Sequence, residues 1–484
     1  MENRKMERNL TMLVDFYELT MGKGFLDHKH ENTIGIFDMF FRRVPDQGGF
    51  ALMFGVEQMI DYLRNLKFTD EDIKYLENKK IFSKEFLNYL ANFEFKCDVW
   101  AVEEGTPIFP NEPIVTVRGP VIQAQLIETM ILLTINHQSL IGTKANRIVR
   151  AAKGRPVMEF GSRRAQGYDG AILGARAAYV AGAVGTACAI IDRDEHVPAI
   201  GTMAHSWVQF YDTELDAFKA YCESFPDSAT LLVDTYNVLK SGVPNAIRAA
   251  KEVLEPLGKR LKGIRLDSGD LAYLSIKARE MLDKAGMEDC KIVVSNSLDE
   301  YTITSLLDQG AKIDSFGVGE RLVTAKSEPV FGGVYKLVGV YKNDQLIPKI
   351  KISENIEKIT NPDFKQIYRL FDNETGKAIA DVLTLHDEVI DETKPYTIFD
   401  PVATWKKKTI TNFTAKKLLT PIFIKGELVY KSPSIEEIRE NCRKQVDTLW
   451  DEVKRFQNPH TYYVDLSEDL WNIKRDLLNK FTIK

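Results

Sequence analysis

GIRLDSGDLAYLSIKAREMLDKAG, residues 263–286, sets an apolar run, a polar turn and a helical pattern one after another. GIRLD has the length and apolarity of a strand buried on both faces, and the turn after it carries helix-start residues. The pattern recurs outward in both directions. PVMEF (156–160), VGTACAII (184–191), PAIG (198–201), TLLVD (230–234), KIVVS (291–295) and IDSFGVG (313–319) are further short apolar runs. Helical stretches separate most of them, among them RRAQGYDGAILGARAAYVAG after the first. Apolar runs alternating with helices predict a parallel α/β sheet. Its form follows from the strand ends, where Glu159, Asp234, Asp267, Ser295 and the Gly317–Gly319 pair fall. In a βα barrel all such positions converge on one face, whereas in a doubly wound sheet only those at the switch point meet. So many polar strand ends predict the barrel.

Beyond this region the pattern changes. IGIFDMFF (34–41), FALMFGV (50–56) and CDVWAVEEGTPIFPNEPIVTVR (97–118) read as short strands, and a long apolar helix is predicted over 121–151. After Lys336 the alternation stops, and a β-rich, Lys-rich stretch (337–430) leads to SIEEIRENCRKQVDTLWDEVKRF. There Ile435, Ile438, Cys442, Val446, Leu449, Val453 and Phe456 form one apolar stripe. LSEDLWNIKRDLLNKF is a final helix. The expected division is an N-terminal α+β part (1–120), an α/β barrel (121–336) and a C-terminal part (337–484).

Lys and Arg total 64 against 69 Asp and Glu, a net charge of −5, which argues against a nucleic-acid partner. It leaves small anions open, because a few local arginines suffice for those. The five cysteines show no CxxC or zinc spacing and predict reduced thiols. MENRKMERNLTMLVDFYELTM lacks the apolar core of a signal peptide, and the uncharged run 177–191 is short and glycine-interrupted for a membrane span. A cytoplasmic protein with no membrane partner is expected.

Four constellations could carry chemistry. In EFGSRRAQGYDG (159–170), Arg163 and Arg164 beside glycines suit a phosphate or carboxylate, or pair with Glu159 and Asp169 at a helix start. GTMAHSW (201–207) places His205 in a turn, as a base, nucleophile, phosphoryl acceptor or plain helix cap. In GIRLDSGDLA (263–272), Asp267 or Ser268 can cap the helix. Arg265 shares a side of the strand with Asp267, so an arginine facing a barrel mouth calls for an anionic partner. DSFGVGERLVT (314–324) offers backbone amides of a Gly-x-Gly turn to a phosphate, with neither a dinucleotide fingerprint nor a P-loop. Arginines, a glycine turn and acidic residues able to hold Mg²⁺ together suggest a phosphorylated-sugar substrate.

With these residues in view the chain resembles the nicotinate phosphoribosyltransferases from end to end. The matching stretches are LVDFYELTMGKGF (13–25), EFGSRRAQGYDGA (159–171), GTMAHSW (201–207), GIRLDSGDL (263–271), FGVGERLVT (316–324), GGVYKLV (332–338) and NPHTYYVDLSEDLW (458–471). The resemblance implies the irregular, TIM-like α/β barrel of type II phosphoribosyltransferases plus an α+β domain built from both chain ends. It implies joining of nicotinate to 5-phosphoribosyl-1-pyrophosphate, coupled to ATP hydrolysis, with Mg²⁺, in salvage NAD biosynthesis. A homodimer with the active site at the interface is implied as well.

Residue by residue, Tyr17 and Phe160 would sandwich the pyridine ring, and Arg265 with Thr202 would take the nicotinate carboxylate. Arg163 would contact phosphate groups, and Gly317, Gly319 and the backbone of Glu320 the 5-phosphate. His205 would be transiently phosphorylated by ATP, and Asp267 would support the ribose or metal. Glu320 departs from the small or hydroxyl residue of some relatives, which leaves only its backbone amide as a donor. Ala187 stands where the nicotinamide enzyme has an aspartate, so the acid substrate is favoured. The alternatives are a nicotinamide or other pyridine phosphoribosyltransferase, and a barrel that only binds a phosphorylated ligand. A type I phosphoribosyltransferase is disfavoured, since TLLVDTYN carries only Asp234.

Overall fold

The computed structural model describes residues 8–482, which fall into two compact units. A mid-chain unit runs Ile141–Pro329, and a terminal unit combines the residues up to Leu140 with those from Val330 onward.

The mid-chain unit carries six strands: β1 (Val157–Glu159), β2 (Gly185–Thr186), β3 (Thr230–Leu232), β4 (Gly263–Leu266), β5 (Lys291–Ser295) and β6 (Ser315–Val318). They pair in parallel in the order β2-β1-β6-β5-β4-β3. Val157, Leu231, Ile264, Leu266, Ile292, Val294, Phe316 and Val318 are buried, as strands covered on both faces require. Helices Tyr168–Val180, Glu214–Ser224, Leu271–Lys284 and Glu300–Asp308 fall between them. Hence the mixed α/β class and the alternation hold.

The sheet is not closed into the expected barrel. VGTACAII yields only the two-residue β2 before turning into helix Ala189–Glu195. PAIG adds a single parallel bridge, Thr186 to Ala199, with Thr186 N donating to Pro198 O at 3.0 Å and Ile200 N to Thr186 O at 2.8 Å. Pro198 has no N–H to offer a ladder, and the chain leaves for helix His205–Phe210. Among the described residues no strand pairing joins Ala199 to β3.

Helix Leu271–Lys284 is capped by Asp270, whose carboxylate accepts from Tyr273 N at 3.0 Å, rather than by Asp267 or Ser268. That leaves both of the latter for other work.

In the terminal unit a seven-stranded sheet joins Ile34–Phe40, Asp98–Val102 and Val115–Pro120 to strands from the far end of the chain. Val334–Lys342 lies antiparallel to Ile34–Phe40, and Leu419–Ile424 antiparallel to Asp98–Val102. Val334–Lys342 thus belongs to this unit, whose second segment begins at Val330 where a boundary after 336 was expected. At the other boundary the predicted helix over 121–151 is two helices, Val121–Leu126 and Glu128–Ala151, parted at Ile127. A four-stranded sheet of Lys365–Asp372, Ala378–Leu385, Phe413–Lys417 and Tyr463–Leu466 completes the unit. Helix Ile435–Thr448 stops before the end of its apolar stripe, yet Leu449 and Val453 beyond it are still buried. The five cysteines are buried and free. No helix among the described residues is long and apolar enough to cross a membrane.

Candidate active site

At the carboxyl ends of the mid-chain strands lies a cavity of about 610 Å³. It is lined by Phe160, Arg163, Thr202, Arg265, Asp267, Gly317, Gly319 and Glu320 among others. The gathering of strand ends on one face therefore survives although the sheet is open.

Glu159 organises the turn after β1. It is fully buried; one carboxylate oxygen accepts from Gly161 N, and the other from Thr186 Oγ1 at 2.6 Å. Burial raises its pKa, and the Thr186 and Gly161 hydrogen bonds oppose that rise. Glu159 thus ties β1 to β2 and is no partner for the neighbouring arginines. Arg164 instead approaches Glu320 at 3.9 Å, and Glu320 is held in its charged form chiefly by Lys326.

Phe160 N donates to Val318 O at 2.8 Å, and the ring lies against Gly317. A Cβ on Gly317 would stand 2.5 Å from that ring, and one on Gly319 would stand 2.9 Å from the Phe160 carbonyl oxygen. Both glycines are needed for this close approach. Gly319 then opens the short helix Glu320–Val323, so several backbone N–H groups converge there.

The ends of β3, β4 and β5 form one polar network. Arg265 Nη1 donates to Thr202 Oγ1 at 2.6 Å. Burial holds the Arg265 guanidinium below the usual arginine range; Asp267 and Asp234 pull the other way, and Arg163 adds repulsion. Its Nε is buried without a protein partner, as are Ser162 Oγ and Asp234 Oδ1. The other oxygen of Asp234 accepts from Asp267 N at 3.0 Å and from Ser268 Oγ at 2.6 Å. Asp267 accepts from Ser295 Oγ at 2.5 Å. His205 opens its helix with Nδ1 at 3.1 Å from Thr235 Oγ1 and Nε2 at 3.8 Å from Asp267.

The structure thus draws Phe160, Arg163, Thr202, Arg265, Asp267, Gly317, Gly319 and Glu320 to one cavity, with His205 beside Asp267. Tyr17 belongs to the terminal unit, on helix Phe16–Asp27. It is 43% exposed, its hydroxyl hydrogen-bonded to Glu128, and its pKa is raised by burial and by that carboxylate.

Two lining residues escaped sequence reasoning. Asn296 and Ser297 follow β5 with φ of +92° and +48°, successive residues in the left-handed region. Such conformations are strained for residues other than glycine and gather at ligand sites. The sequence signal was the polar trio Ser295-Asn296-Ser297 closing an apolar run. Among the described residues no group of three or more His, Cys, Asp or Glu side chains is placed to hold a metal ion. A magnesium ion carried by phosphate oxygens needs only one or two carboxylates, and Asp267 at the cavity wall fits that demand.

A parallel α/β sheet whose strand ends present arginines, a glycine turn and carboxylates to a cavity of this size defines an enzyme acting on small anionic substrates, of the phosphoribosyltransferase kind. Three models of the nicotinate phosphoribosyltransferase family match the chain: the N-terminal domain over 12–136, the family domain over 156–375 and the C-terminal domain over 364–474. The chain is 43% identical over 475 residues to the nicotinate phosphoribosyltransferase of Bacillus subtilis, covering 98% of this chain and 96% of that one. It is 30% identical to the human nicotinate phosphoribosyltransferase, covering 95% of each. The crystal structure of human nicotinic acid phosphoribosyltransferase superposes with a TM-score of 0.85 at 28% identity, over 96% of this chain and 99% of that one. The chain belongs to the nicotinate phosphoribosyltransferase family and is an enzyme, a transferase of NAD biosynthesis.

Proposed function

We propose that the cavity joins nicotinate to 5-phosphoribosyl-1-pyrophosphate. The pyridine nitrogen forms a bond to the anomeric carbon, the bond from that carbon to pyrophosphate breaks, and nicotinate mononucleotide and pyrophosphate leave. The observation that carries this reading is Arg265: a largely buried guanidinium with a buried, unpartnered Nε, beside Thr202, at the cavity wall. A planar carboxylate matches that fork. Ala187, also lining the cavity, places no carboxylate against an anionic substrate, which favours nicotinate over nicotinamide.

The ring nitrogen is already a nucleophile at neutral pH, so catalysis rests on orientation and on charge neutralisation. Phe160, backed by Gly317, offers a ring face to the pyridine. Arg163 serves the phosphate groups, and Gly317, Gly319 and the Glu320 amide the 5-phosphate. Asp267, braced by Ser295 and held through its backbone N–H by Asp234, would serve the ribose hydroxyls or a Mg²⁺ ion. When bound, such an ion would supply charge neutralisation for the pyrophosphate group. His205, oriented by Thr235, is the acceptor we assign to the ATP γ-phosphoryl group. ADP leaves, and water later takes the phosphoryl group as phosphate. A phosphohistidine adds about two negative charges beside the sugar-phosphate site, which couples hydrolysis to affinity.

An assay of nicotinate mononucleotide formation with and without ATP tests the proposal, run in parallel with nicotinamide. Product from nicotinate, raised by ATP in the parent chain but not in His205→Ala, is expected. Equal use of nicotinamide would overturn the substrate assignment. ATP stimulation retained in His205→Ala, with no acid-labile phosphate on the protein, would overturn the coupling role.

A further inference from the structure

The terminal unit holds a second cavity, of about 790 Å³, that none of the residues assigned to phosphoribosyl transfer lines. Asp465, in strand Tyr463–Leu466, forms part of its wall and is only 5% exposed. Its side chain has no hydrogen-bond or ion-pair partner among the described residues. The charge that acts on it most is a second carboxylate, Asp400, and burial together with that repulsion pushes its pKa up to about 7. Asp400 cannot turn away, because it accepts from Val402 N and Ala403 N at 2.8 and 2.7 Å. The Asp465 carboxylate oxygens open onto the cavity, where a ligand donor can reach them.

The rest of the lining is of opposite character. Lys406, Lys407 and Lys408 stand in succession along the rim, and Lys474 reaches Asn361 Oδ1 at 2.7 Å. Ile398 and Leu466, each 3% exposed, supply apolar surface. An apolar ligand would not use Asp465, and a simple anion would meet two carboxylates. A free metal ion would need a ligating cluster that the described residues do not provide. An amino acid carries both charges but fills only a fraction of the space. A nucleotide has donors at one end, acidic oxygens at the other and a flat apolar ring between. Facing two N–H donors, the Asp465 carboxyl is held in its ionised form, which only accepts hydrogen bonds, through two adjacent oxygens. Guanine, with neighbouring N–H and NH₂ groups on one edge, matches it, whereas the adenine edge pairs a donor with an acceptor.

We propose that this cavity binds a guanine nucleotide, the base edge donating to Asp465 and the phosphate held by the Lys406–Lys408 run. The inference is independent of the reaction assigned to the mid-chain unit. It is tested on the full chain by calorimetric titration with GMP, AMP and inorganic phosphate, and by photolabelling with 8-azido-GMP followed by peptide mapping. GMP should bind saturably and at least tenfold more tightly than AMP or phosphate. Asp465→Asn and, separately, Lys407→Ala with Lys408→Ala should each weaken GMP at least fivefold while leaving basal nucleotide synthesis unchanged. Label should appear on peptides from 396–408 or 461–474 and be lost in Asp465→Asn. Absence of saturable GMP binding, AMP binding as tight as GMP, or label confined to 156–324 would overturn the proposal.

Discussion

Arg369 and Arg265 are both arginines withdrawn from water, and their surroundings differ in kind. Arg369, in the terminal unit, is fully buried and donates to both oxygens of Asp381 at 2.8 and 2.6 Å and to Pro107 O at 2.8 Å. Tyr462 OH donates to the same carboxylate at 2.9 Å, and the pKa of Glu112 beside it is pushed up by burial and by Asp381. Arg265 has Thr202 as its one hydrogen-bonded side chain, and the aspartates near it are engaged by Ser295 and Ser268. In the first region a protein carboxylate answers the guanidinium through two parallel hydrogen bonds, although Arg369 Nη1 and Glu112 Oε1 stay buried without a partner. In the second the protein supplies cationic and acceptor groups in excess of what it pairs, at the mouth of a cavity.

The largest effect should come from breaking the closed region. Arg369→Ala leaves the Asp381 charge buried without its cation, with only the Tyr462 hydroxyl donating to it, at a cost of about 3–5 kcal/mol, and chemical denaturation should show that loss. Arg265→Ala should do the reverse: near-parental stability, with kcat/KM for nicotinate reduced about 100-fold, close to 2.7 kcal/mol of transition-state stabilisation. Parental kinetics in Arg265→Ala would remove this arginine from the site and erase the contrast.

Gly317→Ala sharpens the comparison from the packing side. The new methyl group would displace the Phe160 ring, which predicts about 1–3 kcal/mol of overpacking and a raised KM for nicotinate. A pH-dependent test within the terminal unit concerns Glu18, which is buried and has its pKa raised to about 8 by burial, with Thr129 opposing. The folded chain keeps that proton up to about pH 8, while the unfolded chain releases it near 4.5, so stability falls as pH rises through this window. Glu18→Gln should flatten that slope when unfolding is followed between pH 5 and 8. An unchanged slope would show that Glu18 ionises without penalty.

Much of the mid-chain unit was legible because its signals are local. Each of PVMEF, TLLVD, GIRLD, KIVVS and IDSFGVG contains its strand, and the residues closing the last four meet, whereas Glu159 turns to Thr186 and Gly161 instead. Sheet closure was not legible, since it depended on how PAIG pairs, and a proline beside a departing turn limits it to one bridge. The cap of helix Leu271–Lys284 was misread because Asp267, Ser268 and Asp270 are equally good caps by residue type. Only the network around Asp234 selects among them. The left-handed pair Asn296-Ser297 left only a polar trio closing an apolar run as its signal, because neither residue is a glycine. In the terminal unit the strands themselves could be read, but pairing Leu419–Ile424 with Asp98–Val102 is a contact that no local pattern encodes.

That last pairing sets an order of events during synthesis. The mid-chain unit is contiguous and has all its strands once Pro329 has emerged. Asp98–Val102 has its partner Val115–Pro120 early, but its other edge must wait until the ribosome has delivered Leu419–Ile424. Through that interval an apolar strand carries unpaired backbone groups while a finished neighbour already folds, the condition under which nascent chains associate with one another. The vulnerable period of this enzyme's life is thus written into the order of its strands rather than into its chemistry.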